Sequence, residues 1–185
     1  MSFNKSKKSN NFSFSAYFQK STDLIALSLF SKSGDTLISK YINTASAQVV
    51  GISSDITYNF SKSFRATVHL AFENNYLSSL TQSNKGLQLL SNANLLYRLP
   101  KKFSIRLTHQ YNTPYITFQG KGYTQSSNEL VINKKLLKDN LVISLGASDF
   151  FKFNSERKTK YETPFVNQSS YSNLNLDYYF VKVFF

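Results

Sequence analysis

The chain has 185 residues, with 22 Lys plus Arg against 10 Asp plus Glu for a formal charge of +12, and it contains no cysteine. That length suits a single domain over residues 1–185; the missing cysteines exclude disulfide staples, thiol nucleophiles and thiolate metal sites, and His69 and His109 stand far apart with no ligand spacing around them. Aromatics reach 16 %, all Phe and Tyr, while Gly (6) and Pro (3) are scarce; this balance favours β structure, and no run of about 18 apolar residues offers a transmembrane helix.

The stretch from Met1 to Asn10 is basic and polar. It lacks the apolar core of about 7 to 15 residues that a secretory signal needs, so a chain working outside the cytoplasm is expected to have its natural N-terminus elsewhere. From Phe12 onward the pattern has period two. Phe12, Phe14, Ala16 and Phe18 alternate with Ser13, Ser15, Tyr17 and Gln19, as in a strand with one apolar and one wet face. Val50, Ile52, Ile56, Tyr58 and Phe60 then oppose Gly51, Ser53, Asp55, Thr57 and Asn59, and Phe64, Ala66, Val68, Leu70 and Phe72 oppose Arg65, Thr67, His69, Ala71 and Glu73. The pattern continues with Leu89, Ala93, Leu95, Tyr97 and Leu99, with Phe103, Ile105 and Leu107, and with Leu141, Ile143, Leu145 and Ala147. The last strand sets Leu174, Leu176, Tyr178 and Phe180 against Asn173, Asn175, Asp177 and Tyr179.

Tight polar turns at Ser61-Lys62-Ser63, Pro100-Lys101-Lys102 and Lys138-Asp139-Asn140 alternate with longer hydrophilic loops around 74–86 and 154–170. Counting turns predicts eight strands, near 11–30, 36–60, 64–76, 87–99, 103–117, 123–137, 141–153 and 171–184. Alternating segments with short turns at one end, longer loops at the other and aromatics near both rims are the pattern of an antiparallel, up-and-down transmembrane β-barrel. Tyr58, Phe60, Phe64, Tyr97, Phe103, Tyr178 and Phe180 are the expected aromatic girdle at the short-turn side, and Phe72, Tyr76, Tyr111 and Tyr115 mark the opposite rim. Asp149, in register with Leu145 and Ala147, is expected at that rim beyond the bilayer. A soluble sandwich or lipocalin-like barrel also alternates. The polar face here is mostly Ser, Thr, Asn and Gln, with the lysines gathered in turns, which suits a hydrated lumen better than a surface in bulk water.

Arg65, His69, Glu73 and Arg106 are expected to face that lumen, either as contacts for a plug or permeating solute or as parts of a network that keeps the wall hydrated; Asp55 shares the wet face and needs no special role. The charge of +12 raises a nucleic-acid reading, but the cations sit singly in turns and form no stripe, so nucleic acid is not an expected partner. Paired carboxylates, a nucleophile elbow and a phosphate loop are absent, and Gln119-Gly120-Lys121-Gly122 reads as a hairpin turn. No catalytic residue, metal or cofactor is expected.

The string Leu95-Leu96-Tyr97-Arg98-Leu99-Pro100-Lys101-Lys102-Phe103-Ser104, then Tyr111-Asn112-Thr113-Pro114-Tyr115 and Gln119-Gly120, resembles the C-terminal barrel of TonB-dependent-receptor-like outer-membrane proteins from Bacteroidetes. Asn133-Lys134-Lys135-Leu136-Leu137-Lys138-Asp139-Asn140-Leu141 and Ser148-Asp149-Phe150-Phe151 are similar to that family's penultimate hairpin, and Tyr17 to Ile25, Tyr41-Ile42-Asn43 and Val50-Gly51-Ile52 to the long strands before it. The resemblance implies an outer-membrane wall segment holding the last eight strands of a larger barrel, without plug or coupling segment in this chain. The implied partners are outer-membrane lipid, the barrel-assembly machinery, and a plug and further strands encoded upstream; the implied role of the whole barrel is uptake of a bulky nutrient. Phe185, after alternating Tyr179, Val181 and Val183, resembles a C-terminal assembly signal. A complete small eight-stranded barrel with a structural or adhesive role and a soluble basic β-barrel binding ligand or nucleic acid remain the alternatives at this point.

Overall fold

Runs of β-branched and aromatic residues at period two, punctuated by polar turns, leave the chain little choice but extended structure. A computed structural model describes residues 1–7, 10–32, 36–79, 82–151, 156–162, 167–173 and 177–185, side chains excepted at 7, 26–32, 36, 37, 39, 42, 44, 156, 161, 162 and 173. Its strands are β1 (Ser2–Lys7), β2 (Asn10–Lys32), β3 (Thr36–Asn59), β4 (Phe64–Ser78), β5 (Ser83–Leu99), β6 (Phe103–Asn112), β7 (Ile116–Thr117), β8 (Gly120–Lys121), β9 (Gln125–Leu136), β10 (Leu141–Ser148), β11 (Glu156–Glu162), β12 (Asn167–Asn173) and β13 (Tyr178–Phe184). Nine of them form one antiparallel sheet in the order β1-β2-β3-β4-β5-β6-β9-β10-β13, and a second, four-stranded sheet runs β12-β11-β8-β7.

The fold is therefore all-β and antiparallel, as the alternation predicts, with neighbours in sequence adjacent in the large sheet except where β7–β8 and β11–β12 intervene. All eight predicted strands are found in order, and three turns stand where the polar tripeptides put them. Those at Pro100–Lys102 and Leu137–Asp139 are single 3-10 turns in which Lys101 (φ 57°), Lys102 (63°), Leu137 (47°), Lys138 (55°) and Asp139 (79°) take left-handed backbone conformations. Strands twisted to the right are best joined by turns of that hand.

Several boundaries differ. The basic start, outside the eight expected strands, is a ninth strand of the large sheet: β1 pairs with β2 from Ser2↔Ser15 to Lys7↔Asn10. The stretch 74–86 is not a loop, because β4 and β5 continue in register to Ser78↔Ser83; Asn and Ser on a hairpin that runs on into water keep the ladder without needing an apolar face. The strand expected over 103–117 stops at Asn112, before Pro114, which has no N–H to give to a ladder. The strand expected over 141–153 ends at Ser148, where Asp149 turns the chain with φ 50°. The polar segment 154–170 contains the β11–β12 hairpin, and the strand expected over 171–184 is divided, with 171–173 closing β12 and β13 starting at Tyr178. Leu174 and Leu176, read as the start of its apolar face, lie outside the described residues.

The strands β2 and β3 have 23 and 24 residues, far more than the roughly 9 to 11 that cross a bilayer. β4 ends opposite Ser46, so the β2–β3 hairpin projects beyond its neighbours at the long-loop end. A register shift between Ser21 and Ile25, with Asp23 at φ 57°, marks a bulge in the projecting part.

Candidate functional site

Because side chains alternate across a pleated strand, the cross-strand register assigns every residue of the large sheet to one of two faces. One row reads Phe64↔Tyr97↔Ile105↔Ile132↔Leu145↔Val181, and another Phe12↔Ile56↔Val68. Among the described residues nothing covers this apolar face. Among the described hydrophobic residues only Ala45 and Ala71 are buried, whereas Phe18 is 63 % exposed, Phe72 55 % and Val181 67 %. Monomeric soluble proteins rarely leave more than a few hundred Å² of contiguous apolar surface in water. A whole face of a nine-stranded sheet goes well past that, and among the described residues no buried apolar core offsets it.

At the short-turn end of the same face, Phe12, Tyr58, Phe60, Phe64 and Tyr97 follow one another with ring centroids 6.5, 4.8, 5.0 and 6.1 Å apart. Phe103 lies beside Tyr97's strand end, with the Lys134 ammonium 4.0 Å over its ring. Five of the expected girdle residues thus form one band. Phe72, Tyr76 and Tyr111 lie on this face toward the other end, as their register with Leu89, Lys85 and Ser126 shows. Tyr115 has left the wall and packs on Tyr123 at 5.6 Å.

Tyr178 and Phe180 require correction. Their partners are Ser148 and Gly146, in line with Glu129 and Val131 and then Thr108 and Arg106, so both belong to the polar face. Tyr178 also stands at the long-loop end of its strand. The cause is visible in Gly146: the Phe180 ring fills the space a Cβ would occupy there, and the register that seats it turns Tyr179, Val181 and Val183 to the apolar face. Alternation alone gave two apolar rows in the segment 178–185 and no means of ranking them.

The opposite, polar face carries all four expected lumenal residues. Arg65 Nε donates to Asn59 Oδ1 at 2.8 Å. His69 Nδ1 lies 2.7 Å from Asp55 Oδ1, which gives Asp55 a partner that the sequence did not announce. Glu73 accepts from the Tyr17 hydroxyl at 2.7 Å, with the Tyr17 ring lying over Gly51 between them in register. Arg106 lines an open groove with Glu129, Asn133, Ser144, Phe180 and Lys182. Between these groups run neutral cross-strand bonds: Asn94 to Thr108 at 3.0 Å and Ser144 to Asn133 at 2.6 Å. Such a face is satisfied in itself and still presents charges to water. Among the described residues no three His, Asp or Glu side chains gather where a metal ion could be held.

At the long-loop end Asn128, only 3 % exposed, holds the chain where β10 stops. Its backbone N–H donates to Asp149 Oδ1 at 3.0 Å, its amide nitrogen donates to the Phe151 carbonyl at 2.9 Å, and its amide oxygen accepts from the Phe151 N–H at 3.1 Å. Asp149 is thus at the expected rim with a structural task. At the short-turn end Lys102 Nζ lies 2.9 Å from Asp139 Oδ1; the hydrogen bond from Lys102 holds the Asp139 carboxyl below the usual carboxylate range.

An open antiparallel sheet with one face bare and apolar, a girdle of aromatics at its short-turn end and a hydrated opposite face has one natural solvent, a lipid bilayer. The profile of the Outer membrane protein beta-barrel family matches residues 1–182. The chain belongs to this family. Its place is accordingly the outer membrane of a Gram-negative envelope. No match is found among curated proteins or among solved structures.

Proposed function

We propose that this outer-membrane protein supplies part of the wall of a larger barrel of the TonB-dependent-receptor kind, which takes up a bulky nutrient such as a siderophore, an oligosaccharide or a peptide. The observation that carries the reading is the open sheet: among the described residues β1 pairs only with β2, and β13 only with β10. Each unpaired backbone group in hydrocarbon costs several kcal/mol, so a sheet with two free edges does not persist in a membrane. Further strands must meet those edges, and a barrel wide enough to need them leaves a lumen that a plug can fill. Strands that project far beyond the bilayer, as β2 and β3 do, fit the same reading. The proposed partners are outer-membrane lipid on the apolar face, the remaining strands at the two edges, a plug against Arg65, His69, Glu73 and Arg106, and the barrel-assembly machinery at Phe185.

Electrophoresis with and without heating tests this. Residues 1–185 refolded alone into detergent are expected to give aggregates or oligomers and no compact band that shifts on boiling. A sharp, heat-modifiable monomer would overturn the wall reading in favour of a complete small barrel closed on its own strands.

A further inference from the structure

The connections from β6 to β9 and from β10 to β13 are tied together as the second sheet, and that sheet is tied to the polar face of the wall. Asn84 Nδ2 donates to the carbonyls of Thr117 at 2.8 Å and Gly120 at 2.7 Å, and the Ile116 side chain lies over Gly86. Asn84 and Gly86 share the parity of Gln88 and Asn92, hence the polar face.

Register across the second sheet runs Ile116↔Lys121↔Lys160↔Ser169, with Lys158↔Tyr171 two residues along. Period two places Lys121, Lys158 and Lys160 on the face that begins, at Ile116, on the polar wall. All three are exposed, as are Ser169 and Tyr171. Lys121 stands directly opposite Lys160, an arrangement of like charges that is destabilising by itself. The ion pairs found among the described residues, His69–Asp55 and Lys102–Asp139, relieve neither lysine. Lys158 Nζ lies 4.9 Å over the Tyr171 ring and by hydrogen bonding holds that phenol below its usual range. Arg157 is turned to the other face, 4.7 Å over Tyr123. The acidic residues of the second sheet, Glu156 and Glu162, are the two end positions of β11 and share the parity of Lys158 and Lys160, so on this face the lysines stand between one glutamate position at each end.

We propose that Lys121, Lys158 and Lys160, with the Ser169 and Tyr171 hydroxyls, form a binding site for the anionic groups, phosphate, sulfate or carboxylate, of a bulky solute that enters along the polar face. Three ammonium groups on adjacent strands, with strands about 4.8 Å apart, match closely spaced negative charges, and a bound anion removes the Lys121–Lys160 repulsion. The proposal rests on the uptake-wall reading and adds the class of substrate to it.

The full chain in zwitterionic detergent is treated with an amine-acetylating reagent, with dextran sulfate, with uncharged dextran or with neither, and acetylation is read at each lysine by mass spectrometry. Dextran sulfate is expected to protect Lys121, Lys158 and Lys160 and to leave Lys62 and Lys101 in the short turns unchanged; uncharged dextran protects none. The double variant K121Q/K160Q is expected to bind dextran sulfate about tenfold more weakly than the turn variant K62Q/K101Q, at matched β content by circular dichroism. Equal protection of all lysines, or none, overturns the site. Protection by phosphatidylglycerol micelles in place of the soluble polyanion assigns the row to a lipid headgroup and overturns the solute. None of these readouts needs a closed barrel, so a site that binds while residues 1–185 also close as a monomer would break the wall reading alone.

Discussion

Gly51 lies between Tyr17 and Glu73 on the polar face, and its missing side chain is what lets the Tyr17 ring cross the strand to reach the carboxylate. Gly51→Val is expected to displace that ring and cost about 1 to 3 kcal/mol through overpacking, while Tyr17→Phe, which keeps the ring and loses only the hydroxyl, costs about 1 kcal/mol; urea unfolding in lipid measures both. Neither contact was legible beforehand, because a glycine in a strand announces a close approach without saying by whom. The same holds for Gly146 and Phe180. His69 and Glu73 were legible as wet-face residues from parity alone, yet their partners Asp55 and Tyr17 needed the register. Parity also fixes the cost of a charge. Val68→Arg and Ile105→Arg put a cation on the lipid face and are expected to cost roughly 2 to 4 kcal/mol each, whereas Thr67→Arg and Thr108→Arg, on the polar face, cost much less. Equal penalties for the two pairs, measured by folding into bilayers, would reverse the facing.

At the scale of elements, the short turns are where local conformation and residue type disagree. Lys101 and Lys138 hold left-handed backbone angles that cost a side-chain-bearing residue about 1 kcal/mol or more. Lys101→Gly and Lys138→Gly are therefore expected to raise the unfolding midpoint. Lys102 and Asp139 join these two turns across β6 and β9. Since the folded carboxyl sits below its unfolded value, the pair's contribution is fully present above the unfolded carboxylate pKa, about 3.9, and is lost as pH falls through the lower folded value. The difference in unfolding midpoint between the protein and Asp139→Asn is expected to hold steady from pH 7 down to about pH 4 and to shrink below it. Strand existence was readable because alternation with one apolar face is a strong periodic signal. Strand ends were not, since beyond the bilayer polar residues extend a ladder as well as they form a loop. The second sheet escaped notice for the same reason: β11 and β12 have no apolar face to read, and they form by pairing with each other and, through β11, with the two-residue β8, which is distant in sequence.

For the whole molecule, the decisive property is a sheet that buries almost nothing. A soluble β protein gains its stability by covering an apolar face; here that face stays bare from Phe12 to Val183, and only a hydrocarbon solvent makes it favourable. Outer-membrane placement, open edges and a polar face rich in fixed charges then belong to one account, in which lipid wets one side and the lumen the other. Nitroxide labels placed one at a time along β4, with the chain in its assembled barrel in outer-membrane vesicles, test this most directly. The account predicts period-two accessibility: labels at Phe64, Ala66, Val68, Leu70 and Phe72 relaxed by lipid-soluble oxygen, and labels at Arg65, Thr67 and His69 relaxed by a water-soluble nickel chelate. Uniform accessibility along the strand, or nickel reaching the Val68 side as readily as the His69 side, would contradict it.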